Sequence, residues 1–249
     1  IQRPLSMLLE VLAHCGNDKL TQHIVWQNLH PLLEAQADEF VEMVCASKVL
    51  ESKPVADLMP RVTDRILGRQ KFDAQPIGKL FALLRDDHPL VGRQVLEIIS
   101  AKVQSGELKG EKLDQLKAAM AEPLTPLLAS GASHPLGGDA ALLAVSWGDP
   151  RGLPQVRQSF TTRSVQPDLR LKALSALISA KDDSVLESVV TSLGDKSEIS
   201  NFKSQILSAL GRLDDPKVAD LVLTRYASLE PELQPSAIEL LTQRANWSK

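Results

Sequence analysis

One short turn recurs in the second half of the sequence, and it limits the fold more than any other feature. Asp149-Pro150, Asp183-Ser184 and Asp215-Pro216 lie at intervals of 34 and 32 residues, each between two runs with helical periodicity. Aspartate caps a helix because its carboxylate accepts the free N–H groups of the first turn, and proline fits the first helical position. Each turn is therefore predicted to end one helix and to begin the next. A related turn, Asp86-Asp87-His88-Pro89, has the same character upstream.

The runs on both sides of these turns carry apolar residues on one helical face. Those around the middle turn are Leu171, Leu174, Leu177 and Ile178 before it, and Val185, Val189 and Leu193 after it. Intervals of three and four residues bring side chains to one side of an α-helix. Helix, turn and helix at a period in the thirties is typical of stacked helical repeats. The sequence therefore predicts an all-α protein, a HEAT-like α-solenoid of paired antiparallel helices, as a single domain over residues 1–249.

The first half is less regular but has the same helical periodicity. The helices that it predicts cover residues 4–15, 20–34, 38–50, 54–68, 75–85, 89–104 and 110–130. Pro31 is expected to kink or break its helix near His30, because proline removes a backbone donor and clashes with the preceding turn. Together with the second half, this gives about a dozen helices in roughly six pairs.

Composition argues against two classes of partner. Acidic residues exceed basic ones by three, whereas binding to nucleic acids depends on clustered positive charge. No apolar run approaches the length of about 18 residues that a transmembrane helix needs. Aromatic residues make up only 4% of the chain, which favours helices over strands. We therefore expect no nucleic-acid partner and no insertion of this segment into a membrane.

Cysteine and histidine do not form a metal or haem motif. Cys15 and Cys45 lie outside any C-x-x-C-H pattern and at apolar-periodic positions, so buried free thiols are expected, with a disulfide as the alternative. His23 and His30 are seven residues apart and have no third ligand nearby, so surface or groove positions are expected. No catalytic, cofactor-binding or metal-binding residue is assigned.

The only glycine-dense loop, Ser130–Asp139, contains a serine, a histidine and an aspartate. Ser133, His134 and Asp139 are residue types that suit nucleophilic catalysis. The members of a catalytic triad come from separate elements, however, so adjacency in the sequence does not support one. We expect a flexible loop between repeats, in which Asp139 caps the next helix.

Two charged clusters leave alternatives open. Asp182-Asp183 and Asp214-Asp215 are paired carboxylates, which the repeat explains as helix caps and for which acid–base catalysis is the alternative. Arg61, Arg65 and Arg69 form one stripe on a predicted helix. The stripe is either a solvated face or a surface for a carboxylate-rich partner.

The three tryptophans lie in different surroundings. Trp26 has apolar neighbours and is expected in the core, and Trp147 precedes a Gly-Asp-Pro turn, where it is expected to fill the joint between two helices. Trp247 follows the last apolar run and is expected to pack on sequence outside this segment.

Two stretches resemble a known family. Residues 24–34, IVWQNLHPLLE, and residues 236–247, SAIELLTQRANW, are similar to helices in the helical-repeat part of large secreted bacterial proteins best known in planctomycetes. Those proteins, classed as membrane-bound dehydrogenases, join a β-propeller like that of glucose dehydrogenases, a HEAT-like stretch and a c-type cytochrome domain with a C-x-x-C-H motif. The resemblance implies that this chain is the helical middle part, periplasmic or otherwise extracytoplasmic, with the haem elsewhere in the parent protein. No functional residue follows from it.

No set of residues assembles a reaction centre, so the expected function is a non-catalytic helical-repeat scaffold or protein-interaction module. Its partner would be another protein or neighbouring domains of the same chain. The alternative is a structural spacer between a β-propeller dehydrogenase-like domain and a c-type cytochrome domain in an extracytoplasmic oxidoreductase. An enzyme that uses the 130–139 loop is a third hypothesis. The start at Ile1 and the apolar pattern near the end lead us to expect a segment of a longer protein.

Overall fold

Helix follows helix in the computed structural model, and residues 4–213, 215–244 and 247, which the structure describes, contain no strand. The prediction of an all-α protein is confirmed. Contacts divide the chain into two compact units, residues 1–143 and 144–249. Each unit has its own buried apolar core, with Phe40 and Phe81 in the first and Phe160 and Phe202 in the second. The single domain over residues 1–249 stays a prediction.

Thirteen α-helices lie in the described part of the chain. The first seven are α1 Pro4–His14, α2 Lys19–Ala46, α3 Lys53–Leu67, α4 Gln75–Asp87, α5 Pro89–Gln104, α6 Glu111–Ser130 and α7 Gly137–Ser146. The other six are α8 Leu153–Thr161, α9 Pro167–Ser179, α10 Val185–Gly194, α11 Ser200–Leu210, α12 Lys217–Arg225 and α13 Gln234–Thr242.

Helix α3 illustrates how the sequence specifies these elements. Proline at position 54 lies in the first turn, where its missing N–H needs no partner. Val55, Met59, Val62 and Ile66 follow at intervals of three and four residues, and each is fully buried. Burial of such a side chain contributes about 1.5–3 kcal/mol, so this stripe is a main reason for the helix to form and pack.

In each unit, several helices contact the next helix in sequence, and several also contact the helix after the next. In the first unit, α2 packs on α4 and α4 on α6, while α1 packs on α3 and α3 on α5. In the second unit, α9 packs on α11 and α11 on α13, and α8 packs extensively on its neighbour α9. The helices are therefore packed in the order of the sequence.

The expected break at Pro31 is wrong in its position. The helical run over residues 19–46 consists of two stretches joined across a kink at Gln36, which has φ −125° and ψ 24°. Pro31 lies inside the run, between Leu29 and Leu33, which are almost completely buried. Their packing offsets the single hydrogen bond that proline removes from a helix.

Three aspartates of the second unit, Asp149, Asp182 and Asp215, cap their turns in the same way and are equally spaced along the chain. Their carboxylates each accept the backbone N–H two residues later, at 3.0, 3.1 and 2.9 Å. The predicted capping bonds at Asp149 and Asp215 are present, but Asp149 caps the short 3-10 turn Pro150–Gly152 ahead of α8, and Asp215 lies two residues before the first residue of α12. The prediction for the middle turn is wrong by one residue, because Asp182 accepts this bond instead of Asp183.

Backbone conformation explains this register. Lys181 ends α9 in the left-handed region, with φ 53°, and the N–H groups of Lys181 and Asp182 turn back to the carbonyls of Ile178 and Leu177. This is a Schellman motif, in which glycine is the usual residue at the left-handed position. Gly148 occupies the same position before Asp149, with φ 86°. The upstream turn differs, since His88 precedes α5 without a side-chain cap.

Candidate binding groove between α2, α3 and α5

A groove of about 400 Å³ opens between three helices of the first unit. Its lining residues are Trp26 and His30 of α2, Pro60, Arg61, Asp64 and Arg65 of α3, and Ile98 of α5. Pro60 is buried and Ile98 is half-buried, so apolar surface lies next to charged groups. A few polar groups placed beside apolar walls are typical of binding sites.

Arg61 is the exposed cation of this groove. Its guanidinium lies over the Trp26 ring, 4.5 Å from the ring centroid, in a cation–π contact. His30 meets the same indole edge-on, with 5.2 Å between the ring centroids. Trp26 is only partly buried, so the prediction that it lies in the core is wrong. One face of its indole is covered by arginine instead of by apolar side chains.

Arg65 and Arg69 turn towards α2 and bind within the unit. Arg65 forms an ion pair with Glu34, with 2.6 Å between Nη2 and Oε2, and Arg69 donates to the carbonyl of Glu34 at 3.0 Å. The backbone amide of Gln70, together with Arg65, lowers the pKa of Glu34 although desolvation opposes this. Arg69 lies beyond the end of α3 and is only 6% exposed.

The arginine stripe is therefore neither a solvated face nor one continuous docking surface. A carboxylate of this chain, Glu34, already binds Arg65. Arg61 alone of the three presents an exposed side chain with no ion pair among the described residues.

The acids beside Arg61 are bound by lysines. Asp57, one turn before Arg61 on α3, pairs with Lys53 at 2.6 Å. Asp64, one turn after it, pairs with Lys102 of α5 at 3.0 Å, and Lys102 also binds Glu107 at 2.6 Å. Burial lowers the pKa of Lys102, but its hydrogen bonds to Glu107 and Asp64 outweigh this and raise the pKa above its usual value.

A second cavity, of about 820 Å³, lies in the second unit between the α9–α10 and α11–α12 turns. Lys181, Arg212 and Lys217 line it together with Asp183 and Asp215, so its charges are mixed. Asp182 is also part of its wall but is already bound by Arg157 and Ser184. Asp214, the other carboxylate of the predicted pair with Asp215, lies outside the described residues.

The serine, histidine and aspartate of the glycine-dense loop have separate local surroundings. The Nδ1 atom of His134 accepts the backbone N–H of Leu136 at 3.1 Å. Asp139 binds Arg93 of α5, with 2.9 Å between Oδ2 and Nε. Asp139 lies within the first turn of α7, so the expectation that it caps this helix is wrong. Ser133 belongs to a short 3-10 turn, Gly131–Ser133.

Neither cysteine nor histidine forms a cluster. Cys15 is partly buried and Cys45 is exposed, and both are free, so the expected burial of Cys45 is wrong. His23 and His30 are exposed, as expected. Within the described residues, no group of three or more histidine, cysteine, aspartate or glutamate side chains is placed to hold a metal ion. No described helix has the length and apolar character needed to cross a membrane.

The other two tryptophans are buried. Trp147 is 8% exposed and precedes Gly148, which agrees with its predicted place at a helix joint. Trp247 is 4% exposed, and the guanidinium of Arg244 lies 5.1 Å from its ring centroid. It is thus covered by this chain, whereas packing on sequence outside the segment was expected.

Sequence reasoning missed two buried cations of the second unit. Arg170 and Lys203 occupy the same position of α9 and α11 and are 3% and 2% exposed. Arg170 binds Glu198 and Lys203 binds Glu230, each with a shortest N–O distance of 2.6 Å. Lys203 and Ser200 lower the pKa of Glu230 by hydrogen bonding to it. One feature of the sequence could have identified these two cations as equivalent positions of a repeat. Their separation equals the spacing of the capping aspartates.

Comparison with known proteins gives no identification. No protein-family model matches the chain, and no similar protein is found among the curated proteins.

Proposed function

We propose that the chain is a HEAT-like α-solenoid of paired antiparallel helices. Support comes from the contacts that skip one helix, because helices of one layer of a solenoid contact the helix after the next. The equal spacing of Asp149, Asp182 and Asp215 adds to this, since each carboxylate makes the same bond in the turn between two successive helices. Their spacing is a period in the thirties, which lies within the range of known helical repeats.

The buried ion pairs support the same stacking. Arg170 of α9 binds Glu198, which lies in the loop between α10 and α11. Lys203 of α11 binds Glu230, which lies between α12 and α13. Each cation therefore joins its own helix to the loop that follows the next helix. Nearest-neighbour links of this kind hold repeat proteins together.

The function that we propose is that of a non-catalytic scaffold or protein-interaction module. The observation that carries it is the groove between α2, α3 and α5, in which exposed Arg61 lies on Trp26 beside apolar Pro60 and Ile98. Tryptophan and arginine are the residues that contribute most to protein interfaces. The partner is another protein or a neighbouring domain of the same polypeptide.

Photo-crosslinking tests this proposal. A benzoylphenylalanine in place of Ile98 lies in the groove, and the same residue in place of Leu90 provides the control, since Leu90 is on the same helix and 74% exposed. We expect a discrete crosslinked partner from position 98 in cell extract and none from position 90. Equal labelling from both positions, or none from either, would contradict the proposal. A chromophore or metal that co-purifies at stoichiometric level would contradict its non-catalytic part.

The alternative is a spacer that connects a propeller dehydrogenase-like domain to a c-type cytochrome domain in an extracytoplasmic oxidoreductase. Exposed apolar side chains on the first two helices favour it, namely Met7, Val11, Leu20 and Ile24, which are 42–68% exposed. Met7 and Val11 lie one turn apart on α1, and Leu20 and Ile24 lie one turn apart on α2, so a neighbouring domain in such a spacer would bury them together. Sequencing the parent gene tests the idea, because a parent without a C-x-x-C-H motif would exclude a c-type haem.

A further inference from the structure

The side chain of Arg61 is held in place without an acidic partner. Both carboxylates within one turn of it, Asp57 and Asp64, are bound by lysines. The third nearby acid, Glu34, is bound by Arg65 and by the amide of Gln70. Among the described residues, the groove thus has one guanidinium whose charge is not balanced by an ion pair.

The stacking on Trp26 determines which atoms of Arg61 remain free. An arginine over an indole uses its flat face, and the N–H groups at its edge then stay available for hydrogen bonds. A carboxylate matches this edge, because its two oxygens accept two parallel N–H bonds. Pro60 and Ile98 supply apolar surface for a residue next to that carboxylate.

We propose that the groove binds a protein segment in which an aspartate or glutamate stands beside an apolar residue, with the carboxylate on Arg61. This inference rests on the proposed function and specifies its partner. A phosphate-rich polymer fits less well, since the other basic groups around the groove, Arg65 and Lys102, already have acidic partners. A single free cation suits one carboxylate and releases few counterions from a polyanion.

Selection from a random peptide library displayed on phage, against the full chain, tests the proposal. We expect the selected peptides to share an acidic residue next to an apolar one. Replacing that residue by its amide should weaken binding about 10-fold, because a charge-assisted bond is lost. With Arg61→Ala, the acidic and amide peptides should bind equally. Lys48→Ala is the control, since this cation is 90% exposed and outside the groove; it should keep the difference of about 10-fold.

Each other outcome overturns the proposal in a distinct way. If Trp26→Ala abolishes binding but the amide peptide binds as well as the acidic one, the groove binds protein and only the carboxylate is wrong. If neither Trp26→Ala nor Arg61→Ala changes peptide affinity, the groove is not the site and the proposed function fails with it. A library that yields no binder contradicts the groove in the same way. Binding of a single-stranded oligonucleotide that depends on Arg61, without peptide binding, would replace the protein partner by a nucleic acid.

Discussion

The two units pack their helices in a similar way but stabilise the connections differently. In the second unit, the same aspartate bond and the same buried cation recur at one constant interval. In the first unit, Asp18 before α2 and Asp73 before α4 make the same bond to the amide two residues later, but no constant interval connects them to the other helix starts. Ser52 and His88 precede their helices without a side-chain cap.

The difference teaches that layered packing and sequence period have separate origins. An apolar stripe is enough to make a helix pack on its neighbours, whatever its length, since the short α1 and the much longer α2 both do so. A period becomes visible only where each turn uses the same chemistry. The first unit depends instead on close contacts, such as Gly78 of α4 against the carbonyl of Ala119 in α6.

The largest expected effect concerns the repeated ion pairs. Glu198→Ala would leave the buried guanidinium of Arg170 without its carboxylate, although its contacts with the carbonyl of Phe160 and the ring of Phe202 remain. Loss of one member of a buried pair costs about 3–5 kcal/mol. Glu230→Ala should cost less, because Glu230 is itself 37% exposed and its partner is a flexible lysine. Urea denaturation of both variants measures the difference. Equal costs would mean that the two links are equivalent, as a strict repeat requires.

The first unit should respond most strongly to a close contact between helices. A Cβ at position 78 would overlap the backbone oxygen of Ala119, so Gly78→Ala should cost about 1–3 kcal/mol by forcing α4 and α6 apart. The control is Gly138→Ala, because a Cβ there meets no atom within 4 Å. Thermal unfolding of both variants decides the point. A Gly78→Ala protein as stable as the control would show that this contact is not needed.

The capping aspartates predict a dependence on pH. Burial raises the pKa of Asp182, but hydrogen bonds from Arg157 and Ser184 outweigh it and leave the pKa below its usual value. A lowered pKa means that the carboxylate stabilises the fold above about pH 4 and that this contribution is lost as the pH falls further. The stability difference between wild type and Asp182→Asn should therefore be constant from about pH 5 to 8 and shrink below about pH 4. Denaturation curves across this range measure it, and a difference that does not change with pH would contradict the lowered pKa.

A second capping aspartate, Asp215, gives a reference value for the free energy that a single cap bond contributes. Asp215→Ala removes a single cap bond and should cost about 1 kcal/mol, which urea denaturation at neutral pH can measure. Asp182→Asn should cost more at the same pH, because Arg157 also loses its partner. The reverse order would show that the ion pair adds nothing to the cap.

The smallest expected change in stability comes from the left-handed residue of two turns in the second unit. Lys181 and Gly148 occupy the same left-handed position, and only glycine adopts it without strain. Lys181→Gly should stabilise the protein by about 1 kcal/mol, and Gly148→Ala should destabilise it by a similar amount. Differential scanning calorimetry resolves such shifts in Tm. A lower Tm for Lys181→Gly would mean that the lysine side chain contributes more than its backbone strain costs.

Local chemistry explains how much could be predicted from the sequence. Helices α3 to α6 begin and end within two residues of the predicted bounds, because apolar spacing and flanking polar residues specify them locally. Asp182 could not be distinguished from Asp183, since both can cap and only the backbone at Lys181 decides between them. The spacing of Arg61, Arg65 and Arg69 predicts that they share one face of a helix, but it does not identify the residues that this face contacts.

The remaining features depend on residues far apart in the sequence. The contact of Arg65 with Glu34 joins positions 31 residues apart, and that of Arg170 with Glu198 joins positions 28 apart. Spacing along one helix carries no information about which neighbour it meets. The groove beside Trp26 and the burial of Arg170 therefore required the folded structure.

The equal spacing in the second unit has a consequence for how such a chain can change its length. If residues 183–215 were lost in one piece, Asp182 would run directly into Pro216, and its carboxylate would again face a helix start. Glu230 would then follow Arg170 by 27 residues, the separation that now links Lys203 to Glu230. Unequal recombination between neighbouring copies can therefore shorten or lengthen this unit in whole steps and leave every joint with a partner.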